Sequence, residues 1–368
     1  MSDQKVKFAI LGTGNSGQAY AAHIALSGHS VNLAEVPEFE ENLRAIERNG
    51  GIKISGDAKE GFAKLDMITT DLVQATKGVD VIIIGGSAFA HEVFSKSLMN
   101  DFEDGQFILF TSNFGALRFI KWKKEADVTT KITPVELVSL PYATRAIEPG
   151  VVEVFGVKDN LPVAALPASR TQDFLDKVKP VFPSFKAADN VWLTSVNNLN
   201  PVVHPPMVLF NAGRIESTGG EGWGIYSDGA TESVAKVMLA VDGDRELVCD
   251  KVSEQGRPFK DIFEDVYNRY SVAKPTLSET LRQSSVHSHP SNKTPPVVNS
   301  RYITEDMPYG LVPWSSIGRM WGIPTPNIDM VIQIASIMSD VNYFEEGLKV
   351  EDLGIDGMTP DQVRALIA

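Results

Sequence analysis

The sequence is poor in cysteine, in basic side chains and in long apolar runs. Cys249 is the only cysteine among 368 residues, which excludes an internal disulfide and a cysteine-rich zinc site and fits a reducing cytoplasm. Acidic side chains outnumber basic ones by 47 to 34, for a net charge of −13. Proteins that bind nucleic acid or an anionic membrane surface need a basic face, so neither kind of partner is expected.

No stretch approaches the roughly 18 consecutive apolar residues of a membrane-spanning helix. The first apolar run, at 8–11, is also shorter than the core of a signal peptide. We therefore expect a soluble, cytoplasmic protein. Hydrophobic residues make up 43% of the chain, a fraction typical of folded globular proteins, and the length suits two domains.

The first half of the chain alternates strand-like and helix-like segments. Continuous apolar runs typical of strands covered on both faces lie at 5–11, 30–35, 79–84 and 107–110. Helices are predicted between the early strands, at 18–27 and 38–49. This alternation indicates a doubly wound, mainly parallel sheet. We expect that sheet to be extended by strands at 135–140, 151–157 and 161–166, and closed by a helix at 171–181 and a strand near Phe185.

The second half changes to helical spacing after about Val191. Amphipathic or apolar segments lie at 231–249, 259–270 and 328–339, and no strand-like run separates them. Proline-rich connections are expected to interrupt these helices at 204–206 and 289–296. A last helix is expected after Thr359 as N-cap. The predicted organisation is an α/β domain at 1–188 followed by a mostly α-helical domain at 189–368.

A glycine-rich motif, G-x-G-x-x-G, follows the first strand and opens the first helix. Gly12 permits a tight turn, Gly14 lets a pyrophosphate approach the backbone, and Gly17 lets the helix lie close on the strand. Asn15 and Ser16 start the helix, whose free amides attract phosphates. An ordinary tight turn is the alternative for the glycines alone. Because a strand and a helix flank them, we predict a Rossmann-type dinucleotide site in the 1–188 domain.

Two further positions bear on the cofactor. Glu35 ends the second predicted strand, close to the spacing of about 20 residues expected for the acid that holds the adenosine ribose. A carboxylate there repels a 2′-phosphate, so NAD(H) is favoured, although a basic side chain from elsewhere would admit NADP(H). Ser87 follows Gly85 and Gly86 where the fourth strand ends, and either contacts the nicotinamide half or belongs to a plain small-residue turn.

Two polar segments of the helical half carry candidate chemistry. His204 can serve as a proton carrier because its ordinary pKa lies near neutrality, or it can be a hydrogen-bonded core histidine. Arg301 can bind a carboxylate and Asp306 can orient an imidazole. The alternative for these two is a solvated loop with an internal ion pair.

Three segments in this order resemble the opine dehydrogenases, the octopine/nopaline dehydrogenase family: Gly12-Thr13-Gly14-Asn15-Ser16-Gly17, Asn200-Pro201-Val202-Val203-His204-Pro205 and Arg301-Tyr302-Ile303-Thr304-Glu305-Asp306-Met307-Pro308. The resemblance implies a Rossmann domain that binds NAD(P)H and a helical domain that closes over an amino acid and a 2-oxo acid. It also implies that His204 is the catalytic acid–base, Asp306 its carboxylate partner and Arg301 the clamp for a substrate carboxylate.

The same resemblance implies substrate contacts at Asn113 in the 111–115 turn, at Thr144 in the 141–144 turn and at Asn200. Asn113 and Thr144 stand at positions that vary within the family. The octopine-specific enzymes differ from this chain at both, which argues against arginine as the amino substrate.

The resulting hypothesis is a reversible, NAD(P)H-dependent condensation of an amino acid with a 2-oxo acid such as pyruvate. An imine forms and is reduced to an opine, a secondary-amine dicarboxylate. One alternative is a two-domain dehydrogenase of a hydroxy acid or an oxo acid that involves no amine. Another is a non-catalytic NAD(H) sensor. Helical second domains of this kind either pair or stand alone, so a homodimer is one of two options.

Three other histidines each have a functional and a structural interpretation. His287 and His289 resemble a two-ligand metal patch but lack a third ligand nearby, so no metal site is expected. A mobile loop over the cleft is the preferred interpretation of that segment. His91 follows Ser87 closely and either supports the nicotinamide side or packs within its helix, which is the favoured interpretation.

Overall fold

The computed structural model describes residues 5–253, 256–270 and 274–368. Contacts within the chain separate two compact units, Met1–Val191 and Trp192–Ala368. Across the described ranges, no helix is both long enough and apolar enough to cross a membrane.

The first unit is an α/β structure. Its strands are β1 (Lys7–Leu11), β2 (Ser30–Ala34), β3 (Ile52–Gly56), β4 (Gly61–Ala63), β5 (Met67–Thr69), β6 (Val81–Ile84), β7 (Phe107–Thr111), β8 (Thr133–Leu137), β9 (Tyr142–Glu148), β10 (Val151–Val157), β11 (Leu161–Ala165) and β12 (Phe185–Ala187). Its helices are α1 (Asn15–Leu26), α2 (Glu40–Asn49), α3 (Leu72–Thr76), α4 (Ala88–Ser97), α5 (Gly115–Glu125) and α6 (Thr171–Val178), with 3₁₀ turns at Pro37–Phe39 and Ala168–Arg170.

The main sheet has eight strands in the order β12-β11-β8-β7-β6-β1-β2-β5. Every pairing in it is parallel except that of β8 with β11. The order β5-β2-β1-β6-β7-β8 reverses direction at β1, as in a doubly wound dinucleotide-binding fold. Four-residue strand β6 is buried throughout, which explains its unbroken apolar sequence. The predicted doubly wound, mainly parallel sheet is confirmed.

One predicted strand belongs elsewhere. The run at 151–157 does not extend the main sheet but lies in a second, four-stranded sheet of order β4-β3-β10-β9. Its residues alternate between buried and half-buried along β10, the pattern of a strand with only one covered face. The expectation for that strand was therefore wrong. Its neighbours are the missed strands β3 and β9, and the missed strand β4 pairs with β3.

The second unit is helical, and its described residues form no strand. The helices are α7 (Val191–Val196), α8 (Asn200–Leu209), α9 (Ala212–Thr218), α10 (Glu232–Val252), α11 (Phe259–Val266), α12 (Leu277–Gln283), α13 (Arg301–Thr304), α14 (Val312–Trp321), α15 (Pro326–Ser339), α16 (Tyr343–Glu346) and α17 (Pro360–Ile367). Two single π-helical turns occur at Ile225–Gly229 and Met307–Leu311.

The predicted break at 204–206 is wrong, because Pro205 and Pro206 lie inside helix α8. Neither proline has an N–H, so two hydrogen bonds of the helix are missing there. At the end of the helix, the N–H of the C-cap residue Phe210 donates to the Pro206 carbonyl at 3.1 Å. Val202, Met207 and most other side chains of α8 are buried, and this packing compensates for the lost bonds.

Thr359 caps the last helix as predicted. Its hydroxyl accepts the Gln362 N–H at 3.3 Å, and the Gln362 side chain accepts the Thr359 N–H at 2.8 Å. This reciprocal pair is a capping box, with Pro360 in the first turn where its missing N–H costs no helical bond.

Candidate active site

The glycine-rich turn has the geometry that its sequence requires. Gly12 adopts a φ of +107°, a conformation open to glycine and strained for other residues. A Cβ atom on Gly17 would lie only 1.9 Å from the Gly12 carbonyl oxygen, so helix α1 can approach the turn only with glycine there. Gly14 is exposed and no side chain caps α1. The first amides of α1 are therefore accessible to an anion such as a pyrophosphate.

Glu35 lies beside this turn, directly after strand β2. Its Oε2 accepts two hydrogen bonds from Thr13, one from the backbone N–H at 2.7 Å and one from the hydroxyl at 2.9 Å. Its Oε1 accepts the Val36 N–H at 3.0 Å. The buried carboxylate is thus held at the edge where the adenosine ribose of a dinucleotide would bind. This donor set and the open glycine turn fit NAD(P), whose nicotinamide supplies hydride chemistry when it is bound.

Three further residues were predicted to bind the cofactor, and the side chains of two of them have hydrogen-bond partners within the first unit. The Asn15 side-chain oxygen accepts the Ala146 N–H at 2.8 Å, and the Ser16 hydroxyl donates to the Gly85 carbonyl at 2.7 Å. Ser87 stands at the N-cap of α4 and is half-buried, but its side chain forms no capping hydrogen bond. Ser16 therefore ties the glycine turn to the end of β6.

His204 and Asp306 form a hydrogen-bonded pair in the second unit. The Nδ1 atom of His204 lies 2.7 Å from Oδ2 of Asp306, although 102 positions separate the two residues. Their side chains are 13% and 7% exposed. Burial raises the pKa of Asp306, and the adjacent imidazole opposes that rise. A carboxylate in this position fixes the tautomer of the ring and stabilises its protonated form.

The pairing depends on a close contact between two local structures. His204 is carried by α8, while Asp306 directly precedes the π-helical turn at Met307–Leu311. A Cβ on Gly310 would lie 2.3 Å from the Pro201 side chain. The absence of a side chain at Gly310 therefore lets the turn pack on the start of α8.

Two tyrosines complete the surroundings of His204, and the sequence interpretation missed both. The Tyr226 hydroxyl lies 2.8 Å from Nε2 of His204. The Tyr302 ring stacks on the imidazole, with centroids 3.9 Å apart and planes 13° apart. Tyr302 lies in the same 301–308 segment as Arg301. Tyr226 lies in a glycine-rich stretch without periodicity, so no pattern marked it.

Arg301 forms an internal ion pair, the alternative to binding a substrate carboxylate. Its Nε and one terminal nitrogen lie 2.9 and 2.6 Å from a single oxygen of Glu305. The Arg301 side chain is 61% exposed and stands on α13, just before Asp306. The guanidinium thus already holds a carboxylate, at a position where solvent can reach it.

The other predicted substrate contacts are spread over both units. Asn113 is the middle of three successive residues with φ near +60°, between Ser112 and Phe114. Left-handed backbone at non-glycine residues costs of order 1–3 kcal/mol each and is concentrated at functional sites. Thr144 lies on β9, where its hydroxyl donates to the Glu153 carbonyl at 2.7 Å. Asn200 begins α8.

A buried arginine binds one of the asparagines that precede α8. Arg245 of α10 is fully buried, and it donates to the Asn197 side-chain oxygen at 2.6 Å and to Asp242 at 2.7 Å. The Asp242 carboxylate also accepts the Phe259 N–H at 2.7 Å. These bonds satisfy polar groups that burial would otherwise penalise and fix the entry into α8.

His287 lies among aromatic side chains. His287 is buried against Tyr226, Tyr267 and Phe263, and its Nδ1 lies 2.8 Å from the Ser284 hydroxyl. It therefore belongs to a packed aromatic cluster, and the mobile-loop interpretation is wrong for this residue. No group of three potential metal ligands occurs within the described ranges.

His91 is fully buried on α4, with its ring edge-on to Phe110 at 5.2 Å. Neither ring nitrogen has a hydrogen-bond partner among the described residues. Burial lowers the pKa of His91 to about 3. The ring is therefore neutral, and its contacts are those of helix packing, the interpretation favoured from sequence.

A doubly wound sheet with an open glycine turn, followed by a helical unit with a histidine–carboxylate pair, defines a nicotinamide-dependent dehydrogenase. Comparison with known proteins narrows the class. Residues 187–339 match the family model for the α-helical domain of NAD/NADP octopine/nopaline dehydrogenases. Over 362 residues the chain is 32% identical to an opine dehydrogenase of Arthrobacter sp. (strain 1C), with 98% of each chain covered. The chain belongs to the opine dehydrogenase family, whose members are NAD(P)-dependent oxidoreductases acting on CH–NH donors.

Solved structures give the same fold at lower identity. Octopine dehydrogenase in complex with NADH and agmatine superposes with a TM-score of 0.77 at 19% identity, covering 98% of both chains. An NADP⁺-bound yersinopine dehydrogenase gives a TM-score of 0.72 at 13% identity, covering 98% of this chain and 97% of the other. The resemblance drawn from three sequence segments is confirmed.

Proposed function

We propose that this enzyme condenses the amine of an amino acid with a 2-oxo acid such as pyruvate and reduces the resulting imine to a secondary-amine dicarboxylate. The observation that carries the proposal is the 2.7 Å contact between His204 and Asp306. It occurs in a chain that aligns over nearly its whole length with an opine dehydrogenase.

His204 is the proposed acid–base. Formation of an imine from an amine and a ketone needs a proton on the leaving hydroxyl. In the reverse direction of the overall reaction, oxidation of the opine needs a base for its secondary amine. With Nδ1 held by Asp306, the proton exchanged with the reaction is carried at Nε2. Asp306 keeps the ring in one orientation and stabilises the imidazolium between the two transfers.

Arg301 is the proposed clamp for the oxo-acid carboxylate. The exposure of its side chain supports this role, because a substrate can reach the guanidinium, whose fork suits a carboxylate. In the structure the fork is paired with Glu305. A substrate carboxylate would compete with Glu305 for that fork. Fixing the oxo acid in this way reduces the entropy lost on reaching the transition state. Asn113, Thr144 and Asn200 are proposed as further substrate contacts.

NAD(H) is the proposed cofactor in preference to NADP(H). The Glu35 carboxylate at the end of β2 is held in place by Thr13 and Val36. A second negative charge, the 2′-phosphate of NADP(H), would be repelled at that position. Gly12, Gly14, Asn15, Ser16 and Gly17 would hold the pyrophosphate, and Ser87 would contact the nicotinamide half.

The deciding experiment follows NADH oxidation across a matrix of amino acids against pyruvate and related 2-oxo acids. The proposal requires oxidation only when both an amine and an oxo acid are present, and mass spectrometry should find the secondary amine. Oxidation with the oxo acid alone would instead identify a simpler oxo-acid reductase. NADH binding without turnover across the whole matrix would identify a sensor.

A further inference from the structure

We propose that the Tyr226 hydroxyl relays protons between Nε2 of His204 and the reacting substrate. The inference rests on the proposed function, because it assumes that His204 is the acid–base. It adds a residue that no sequence pattern indicated.

The contacts of the imidazole leave one route for a proton. Nδ1 is occupied by Asp306 at 2.7 Å and Nε2 by Tyr226 at 2.8 Å. Within the described part of the chain, these two groups are the hydrogen-bond partners of the ring. A proton that leaves the imidazole on the side away from Asp306 therefore passes to the Tyr226 oxygen first.

The ring is also held against rotation. Tyr302 stacks on it face to face at 3.9 Å, and the side chain is only 13% exposed. Turning Nε2 towards a substrate would break the bond to Tyr226 and disturb the bond to Asp306. A relay through Tyr226 requires no such movement.

Tyr226 is itself firmly placed. It lies in the π-helical turn at Ile225–Gly229, whose start is fixed by the Gly224 N–H donating to Asp228 at 2.8 Å. Its ring packs against His287, with centroids 4.7 Å apart. π-Helical turns occur often at functional sites.

The hydroxyl stays protonated in this environment. Burial raises the pKa of Tyr226 well above its ordinary value, and the neighbouring Tyr302, Tyr267 and Asp306 add to the rise. A neutral phenol both donates and accepts a hydrogen bond. Tyr226 can therefore pass one proton on while receiving another, without becoming a stable anion.

Dehydration of the carbinolamine needs one proton, which the imidazolium supplies through Tyr226. As the carbinolamine nitrogen forms its double bond to carbon, the C–O bond breaks and the departing oxygen takes the Tyr226 proton to leave as water. Tyr226 regains a proton from Nε2 of the imidazolium. The ring becomes neutral, with the remaining proton on Nδ1 held by Asp306. In opine oxidation, a separate step has the same relay run the other way: the protonated secondary amine gives its proton to the Tyr226 oxygen, and Tyr226 gives its own proton to Nε2 of the neutral imidazole.

The test is Tyr226→Phe, which removes the oxygen and keeps the ring. The matched control is Tyr343→Phe, a buried tyrosine of the same unit whose hydroxyl lies 3.5 Å from the Asn299 side chain. We expect kcat to fall at least tenfold for Tyr226→Phe and less than twofold for the control, because acid–base groups contribute about 10²–10⁴ in rate. The melting temperature and the Kd for NADH should match those of wild type in both variants.

Proton inventories distinguish a relay from a residue that only positions His204. When kcat is measured in H₂O–D₂O mixtures, two protons in flight give a curved plot for the wild type, and Tyr226→Phe should give a straighter one. A loss below tenfold would overturn the relay, and so would a larger loss with an unchanged inventory. His204→Asn serves as the separate check on the proposed function. If that variant is inactive while Tyr226→Phe is active, the relay fails and the proposed function stands.

Discussion

The glycine turn of the first unit and the His204 site of the second are built in opposite ways. The turn takes its glycines from one short segment, 12–17, where Gly12 has a positive φ and Gly17 has no room for a Cβ. The His204 site combines α8 with Tyr226 and with Asp306, which lie 22 and 102 positions further along the chain. A contiguous site is readable from residue spacing, whereas a dispersed one depends on how helices pack.

The difference also determines what a substitution does at each site. A substitution at Gly12 or Gly17 disturbs backbone that only glycine can form, so we expect stability and cofactor binding to change together. A substitution of an isolated polar group in the helical site removes one bond and leaves the packing in place.

Asp306→Asn should reduce kcat by at least about 100-fold, because an amide neither fixes the tautomer of His204 nor stabilises its protonated form. Steady-state kinetics with both substrates saturating measure the effect. The control is Asp352→Asn, an exposed carboxylate of the same unit that accepts the Lys349 N–H at 2.8 Å. Turnover within tenfold of wild type would refute the assignment of the pair.

Gly17→Ala should weaken NADH binding at least tenfold and lower the free energy of unfolding by about 1–3 kcal/mol, since the new Cβ collides with the Gly12 carbonyl. Gly14→Ala is the matched variant, because a Cβ there meets nothing within 4 Å. It should weaken NADH binding with little change in stability. Fluorescence titration and urea unfolding measure the two effects. Equal stability losses in both variants would contradict the steric argument.

Glu35→Gln should reduce the preference for NADH over NADPH, measured as the ratio of kcat/KM values, by about tenfold, equivalent to about 1.4 kcal/mol. The amide keeps the size of the side chain and removes the charge that repels a 2′-phosphate. Glu38→Gln, an exposed position nearby, should leave the ratio unchanged. An unaltered ratio in Glu35→Gln would mean that another group sets cofactor choice.

His91→Leu should make the free energy of unfolding depend less steeply on pH below about pH 6.5. Burial lowers the pKa of His91 to about 3 in the folded protein, whereas the ordinary value is about 6.5. Below pH 6.5 the unfolded chain therefore binds a proton that the folded chain does not, and stability falls as the pH drops. Removing this group should reduce the slope between pH 6 and pH 4 by about 1 kcal/mol per pH unit. Parallel curves from urea unfolding would show that His91 is protonated in the folded state.

The sequence was sufficient wherever a residue acts through its neighbours along the chain. The glycine turn, the acid after β2, the parallel strands and the Thr359 cap follow from spacing and local chemistry, and the structure confirms the sheet and the cap. The segments holding His204 and Asp306 were also recognisable, but only as a resemblance to a family.

Tertiary structure decided what local rules misjudge or leave open. Pro205 and Pro206 predicted a break, yet burial of α8 outweighs the hydrogen bonds that they remove. The strand at 151–157 pairs with β3 and β9 in a second sheet. The sequence did not indicate this position because neither partner was recognisable as a strand. Tyr226 contacts His204 because a π-helical turn packs beside it, and no periodicity in the sequence predicts such a turn. The free energy of long-range packing depends on residues that are far apart in the sequence. No single segment is therefore enough to predict these contacts.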